Sequence, residues 1–237
     1  MRPSLRIGAL AAAVLLVAAP VHAQRTVGVQ PTGSPFRDLE HKDDLTFFGG
    51  LAGGRDRVGA APNGGPAIGV RYDLHVSGPA AFMSRLVVQL SDRDVLRTTG
   101  VPPAPRIART VSQPLYLADI GVTLNLTGRK SWRNVVPSIN GSLGLASDFR
   151  AASDSSAYRF GNRFMLQAGA GIKWHARGRW TVRADLSNYF YNISYPQSFR
   201  ILQPTAPEQA ILPITDGLTG WTRNTMLTVG VVRHFRR

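Results

Sequence analysis

The sequence predicts an all-β chain: eight antiparallel strands closed up-and-down into a transmembrane barrel with short periplasmic turns and long extracellular loops. Three observations predict it. Apolar residues recur with a period of two in segment after segment, the signature of strands with two unlike faces. The apolar faces end in aromatic side chains and carry small or aliphatic ones between them. The links between segments alternate strictly between short and long, the asymmetry of a barrel whose two ends meet different compartments.

Composition narrows the field first. Among 237 residues there is no cysteine, which excludes a disulfide framework, thiolate metal clusters and Cys nucleophiles. Lys+Arg 28 against Asp+Glu 14 gives a formal net charge of +14, a balance that suits nucleic acid or anionic lipid. Only 18% of residues are charged, however, and 43% are hydrophobic with 24 Gly, as in a folded, strand-rich chain and not a basic disordered tail.

In chain order, the first feature is export. Arg2 and Arg6 precede an apolar run, Ile7 to Ala19, too short to span a bilayer, and Val21-His22-Ala23 supplies small residues at the cleavage positions. Residues 1–23 therefore read as a secretory signal peptide cleaved near Ala23, and an exported chain has no nucleic acid among its expected partners. Residues 24–44 are punctuated by Pro and Gly and end in Asp38-Leu39-Glu40-His41-Lys42-Asp43-Asp44, which reads as a flexible periplasmic lead-in. The barrel is assigned to 45–237. No later apolar stretch approaches 18 residues, so no transmembrane helix is expected.

Leu45 to Gly53 is aromatic and Gly-rich and forms the first strand, with no facing assigned. In the second, Ile68, Val70, Tyr72, Leu74 and Val76 oppose Arg71, Asp73 and His75. In the third, Phe82, Leu86, Val88 and Leu90 oppose Met83, Arg85 and Gln89. The fourth sets Tyr116, Ala118, Ile120, Val122 and Leu124 against Asp119, Thr123 and Asn125, and the fifth sets Val135, Ile139, Leu143 and Leu145 against Ser138, Asn140 and Ser142. Phe164 to Trp174, Trp180 to Leu186 and Leu227 to Val231 complete the set. Ser77-Gly78-Pro79, 127–133 and 175–178 are the short links; 55–66, 91–114, 150–163 and 194–223 are the long ones.

A soluble barrel, such as a lipocalin-like lipid carrier, would turn its apolar face inward. The aromatic rims point the other way. Phe164 and Trp174 bound one apolar face, Trp180 and Phe190 another, as the two membrane interfaces select. Strand residues rise about 3.3 Å each, and at a tilt of about 40° the span from Phe164 to Trp174 stands roughly 25 Å tall, the height of an outer-membrane apolar band. The polar face then lines the lumen, where Arg71, Asp73, Arg85, Asp119, Lys173, Arg183 and Asp185 form a charge network. The Ser77-Gly78-Pro79 turn pairs Arg71 with Arg85 and Asp73 with Met83. Asp73 is expected to bridge both guanidiniums, with Arg183 and Asp185 as a smaller counterpart. An interior of this size is filled by side chains, so a general diffusion pore is not expected.

From Leu45 to Phe235 the chain resembles the small eight-stranded outer-membrane barrels of the OmpA/OmpX type. That family closes with an alternating apolar strand ending in an aromatic, read by the outer-membrane assembly machinery. Leu227, Val229, Val231 and Phe235 match it in parity; Arg233 interrupts the face and Arg236-Arg237 follow the aromatic. The resemblance implies an integral outer-membrane protein with Phe235 at the periplasmic girdle. The long loops then carry the specificity, and the expected role is structural, surface contact or adhesion, without catalysis.

Chemical motifs are sparse. His75-Val76-Ser77 resembles the His-x-Ser of the lipid A deacylases. Their site faces lipid near the extracellular rim, whereas His75 falls on the inward face beside a periplasmic turn, where a hydrogen-bonded lumen histidine is the plainer reading. No metal-ligand spacing or cofactor motif occurs, and the carboxylate pairs Asp43-Asp44 and Asp92-x-Asp94 read as solvated or capping groups. Arg93, Arg97, Arg106 and Arg109 on one long loop, with Arg150, Arg159 and Arg163 on another, suit the phosphates of lipopolysaccharide.

Overall fold

Period-two alternation gives each segment one apolar and one polar face, and closing the sheet on itself satisfies every edge while separating those faces into an exterior and a lumen. In the computed structural model this closure is complete. The structure describes residues 34–39, 42–54, 58–97, 107–149, 157–176, 180–200, 211–212 and 215–235, all but Ser34 within the compact unit Pro35–Arg237. The expected signal peptide at 1–23 and much of the lead-in lie outside the described residues.

The barrel strands are β1 (Asp43–Gly53), β2 (Gly65–Ser77), β3 (Ala80–Gln89), β4 (Leu115–Asn125), β5 (Val135–Ser147), β6 (Asn162–His175), β7 (Thr181–Ser194) and β8 (Thr219–Phe235). Each pairs antiparallel with its neighbour in sequence, and β8 returns to β1. Gly53 faces Thr225, which faces Asn188; the same path runs through Ala168, Gly141, Val122, Phe82 and Leu74 and reaches β1 again at Asp43. One circuit therefore climbs from Gly53 to Asp43, a stagger of ten residues. In an eight-stranded barrel such a stagger sets a strand tilt of about 40°.

Outward side chains on all eight strands are uncovered by protein and mostly apolar, including Phe47, Ile68, Leu86, Ile120, Leu143, Leu166, Leu186 and Leu227. Inward ones are buried. This is the reverse of a lipocalin-like carrier.

Three strand boundaries differ from the sequence expectation. The first strand begins at Asp43, and the lead-in contributes a further short strand, Phe36–Asp38, paired with Lys130–Trp132 in the β4–β5 link; this part of 24–44 is tethered chain. β7 continues to Ser194 and β8 begins at Thr219, because outward Asn188, Asn192, Thr225 and Arg223 interrupt the apolar face without ending the hydrogen-bond ladder. At the long-loop end the β3–β4 link forms a hairpin of Asp92–Leu96 with Ile107–Ser112, and the β7–β8 link holds a 3₁₀ turn, Gln197–Arg200.

Candidate functional site

The lumen has two levels. Toward the short-turn end, inward positions of β1 to β4 and β6 to β8 converge on buried charge. Arg71 and Asp73 lie two apart on β2 and so share the inward face. Arg71 donates to Asp73 through Nε at 2.9 Å and Nη2 at 2.8 Å, and Nη2 also reaches Thr123 Oγ1 at 2.5 Å. Across the barrel, Arg183 Nη1 donates at 2.9 Å to Asp73 Oδ2, the oxygen that also accepts from Arg71 Nε. Arg183 is itself gripped by Asp185, through Nε at 2.5 Å and Nη2 at 3.0 Å. Asp185 also lies 3.6 Å from Arg71. Two arginines and two aspartates thus close one ring of alternating charge. Gly171 makes room for it, since a Cβ there would collide with the Asp185 carboxylate.

The expected cross-strand register holds: Arg71 faces Arg85 and Asp73 faces Met83. The expected bridge from Asp73 to Arg85 does not form. Arg85 lies directly opposite Asp119 on β4 and takes that carboxylate instead, with Nε and Nη2 each at 3.1 Å. Its guanidinium also stacks 5.1 Å from the Tyr189 ring and donates to Ser187. A directly opposed partner costs less side-chain ordering than a diagonal one already shared by two arginines. The Arg183–Asp185 pair belongs to the Asp73 ring and is not a separate feature.

Lys173 joins a second cluster at the short-turn mouth. Its Nζ lies 2.6 Å from Asp44, whose other oxygen is 2.7 Å from His234 Nδ1. His234 Nε2 is 2.7 Å from Thr181 Oγ1, which lies 2.9 Å from His175 Nδ1. Asp44, read from sequence as a solvated or capping residue, is fully buried here. This cluster escaped the sequence because Asp44 was read as the end of the lead-in, whereas the first strand starts at Asp43 and turns Asp44 inward.

Toward the long-loop end the lumen changes character. Leu115, Leu117, Ala146, Phe160, Met165, Tyr191, Ile193 and Met226 are buried in one apolar cluster with Tyr158, Tyr195 and Phe199 from the links. Phe160 meets Tyr191 edge-on at 5.5 Å. Arg93, read as a lipopolysaccharide contact, is buried there: its guanidinium lies 5.3 Å from the Tyr158 ring and donates to Gln113. The hairpin of Asp92–Leu96 carries it inward. Arg97, Arg109 and Arg159 are exposed at this end. Arg163 is half-buried and donates to the Phe160 carbonyl at 2.7 Å. Arg106 and Arg150 lie outside the described residues.

On the exterior, Phe164, Trp174, Trp180 and Phe235 are exposed and Phe190 is half-buried on the outward face. Trp132 and Trp221 add exposed rings that the sequence reading had left in links, and Phe149 adds another just past β5. His75 Nδ1 meets the Lys42 carbonyl at 3.0 Å and its Nε2 meets Asn125 at 3.2 Å. A bulge separates it from Ser77, and no hydrogen bond joins the two. Among the described residues no group of three or more His, Asp or Glu is placed to hold a metal ion.

This geometry defines a closed, eight-stranded, up-and-down antiparallel barrel, a fold also found among solved structures. The chain is similar to Neisserial surface protein A (NspA), with 13% identity and a TM-score of 0.50 over 81% of this chain and 97% of that one. It is also similar to the outer membrane protein OprG from Pseudomonas aeruginosa, with 9% identity and a TM-score of 0.49 over 86% of this chain and all of the other, 100%. The first likeness shows the fold. No family model matches the chain, and no curated protein does.

Proposed function

We propose that the protein resides in the outer membrane as a non-enzymatic barrel whose closed lumen is a scaffold and whose long loops make its surface contacts. The observation that carries this reading is the predominantly apolar exterior on all eight strands, bounded by Phe164 and Trp221 at one end and Trp174, Trp180 and Phe235 at the other. Exposing such a surface to water would cost far more than facing it to hydrocarbon. The lumen supports a scaffold over a channel, because charged side chains fill one level and apolar ones the next. Exposed Arg97, Arg109 and Arg159 at the long-loop end favour contact with lipopolysaccharide phosphates. A catalytic reading through His75 and Ser77 is disfavoured by their separation and by the engagement of both imidazole nitrogens elsewhere.

The native protein is expected to partition with outer membranes and to migrate differently on gels before and after boiling. Protease added to intact cells is expected to cut at Arg97 or Arg109 and to spare Arg129-Lys130 until the outer membrane is broken. Recovery in the soluble periplasmic fraction would reject the membrane reading, and equal cutting at both ends would reject the orientation.

A further inference from the structure

The end of the barrel carrying the short turns has a surface that neither the lumen nor the loops account for. Among the described residues, Arg37, Lys42, Arg129, Lys130, Arg133 and Arg233 are exposed there against a single exposed carboxylate, Asp38. Lys130 lies 4.0 Å from it; Asp43 and Asp44 are turned into the protein and buried. The excess of cations is therefore presented outward.

Two of these cations are held against rings. The Arg133 guanidinium lies 5.4 Å from the centre of Trp132, and that of Arg233 lies 5.6 Å from Phe235. Both rings are exposed. On the outer wall of a barrel such rings mark the boundary between hydrocarbon and headgroups, so a guanidinium stacked on one is fixed at headgroup depth. The backbone around them is also fixed. Phe36–Asp38 pairs with Lys130–Trp132, Leu39 N–H donates to the Arg129 carbonyl at 2.9 Å, and Arg133 N–H donates to the Pro35 carbonyl at 2.9 Å. The β4–β5 link and the lead-in thus form one small platform, with Arg233 at the β8–β1 side of the same rim.

We propose that this basic, aromatic collar binds the phosphate headgroups of anionic phospholipids in the leaflet at the short-turn end. Charge complementarity selects the partner: guanidinium groups take phosphate oxygens bidentately, and the adjoining rings are of use only to a phosphate attached to hydrocarbon. The inference rests on the membrane reading above, and assigns to the lead-in strand the task of presenting Arg37 and stiffening the platform that carries Arg133.

The test uses the full chain reconstituted into phosphatidylcholine bilayers containing spin-labelled phosphatidylglycerol or spin-labelled phosphatidylcholine, with heat-modifiable gel migration as the check of insertion. Wild type is expected to retain phosphatidylglycerol selectively, by up to about fivefold per engaged cation, with the preference shrinking as salt rises. The triple variant Arg129→Ser, Lys130→Ser, Arg133→Ser should lose most of it, while Asn192→Ser, at an exposed outward position toward the other end, should keep it. Soluble glycerol phosphate should fail to compete. Inserted wild-type protein without a preference, equal loss in both variants, or full displacement by glycerol phosphate would each overturn the collar. Failure to insert into any bilayer would overturn the membrane reading itself.

Discussion

The two levels of the lumen are built by the same device, inward side chains from alternate strand positions, yet they hold the barrel together by different physics. The lower level is a set of mutual obligations. Asp73 serves Arg71 and Arg183, Asp185 serves Arg183 and lies close to Arg71, and Asp119 answers Arg85. Remove any one group and its partners are left charged in a space with little water. The upper level is chiefly an apolar core in which Met165, Tyr191 and Met226 pack with Phe160 and other link residues, around one buried polar group of Arg93, Gln113 and Asp148, and each apolar truncation costs chiefly its own contacts and cavity. Charge gives the lower level a unique register, because a one-residue slip would expel every member. Apolar packing lets the upper level absorb links of differing length.

The largest expected effect tests the lower level alone. Asp73→Ala leaves two buried guanidiniums without their shared carboxylate and is expected to cost about 5 kcal/mol, at the upper end for breaking a buried pair, read by urea unfolding in lipid vesicles. A cost near that of an exposed pair would mean that the lumen is wet and the ring unimportant. Next comes Phe160→Ala in the upper level, expected at about 3–4 kcal/mol. Combined with Asp73→Ala the two costs should add, since Asp73 and Phe160 share no partner, the levels meeting instead where Tyr189 stacks on Arg85. Strong coupling would erase the distinction between them.

The smallest expected effect is the sharpest discriminator. Replacing Arg85 and Asp119 together by Met and Leu removes a whole pair while preserving bulk, and stability should stay within about 1–2 kcal/mol of wild type. Either single substitution should cost about 3 kcal/mol. A double variant as damaged as the singles would show that Tyr189 and Ser187, which also hold Arg85, depend on the charge and not on the pair.

The lower level was largely legible in the sequence, because strict alternation places Arg71, Asp73, Arg85, Asp119, Lys173, Arg183 and Asp185 on inward faces. The hairpin turn at Gly78-Pro79 fixes the first register. Partner choice was not legible. Whether Asp73 meets Arg85 or Arg183 depends on how the sheet closes, and Arg183 comes from the far side of the ring. The pairing of Asp44 with His234 was hidden for a related reason: Asp44 reads as the end of the lead-in, and only the pairing of β1 with β8 brings it opposite His234. The upper level was hidden more deeply, since a buried Tyr158, Phe199 or Arg93 in a link has no periodicity to announce it.

The central claim is that side chains alternate between hydrocarbon outside and a packed lumen inside, and the absence of native cysteine makes that directly measurable. Single cysteines placed along β6 from Leu166 to Ala170, spin-labelled and reconstituted in bilayers, report collision with oxygen, which concentrates in hydrocarbon, and with a water-soluble nickel complex. Leu166, Ala168 and Ala170, exposed on the outward face, should be open to oxygen and closed to nickel. Gln167 and Gly169, facing the lumen, should be closed to both. High nickel accessibility at the outward positions, or no period of two, would contradict the account.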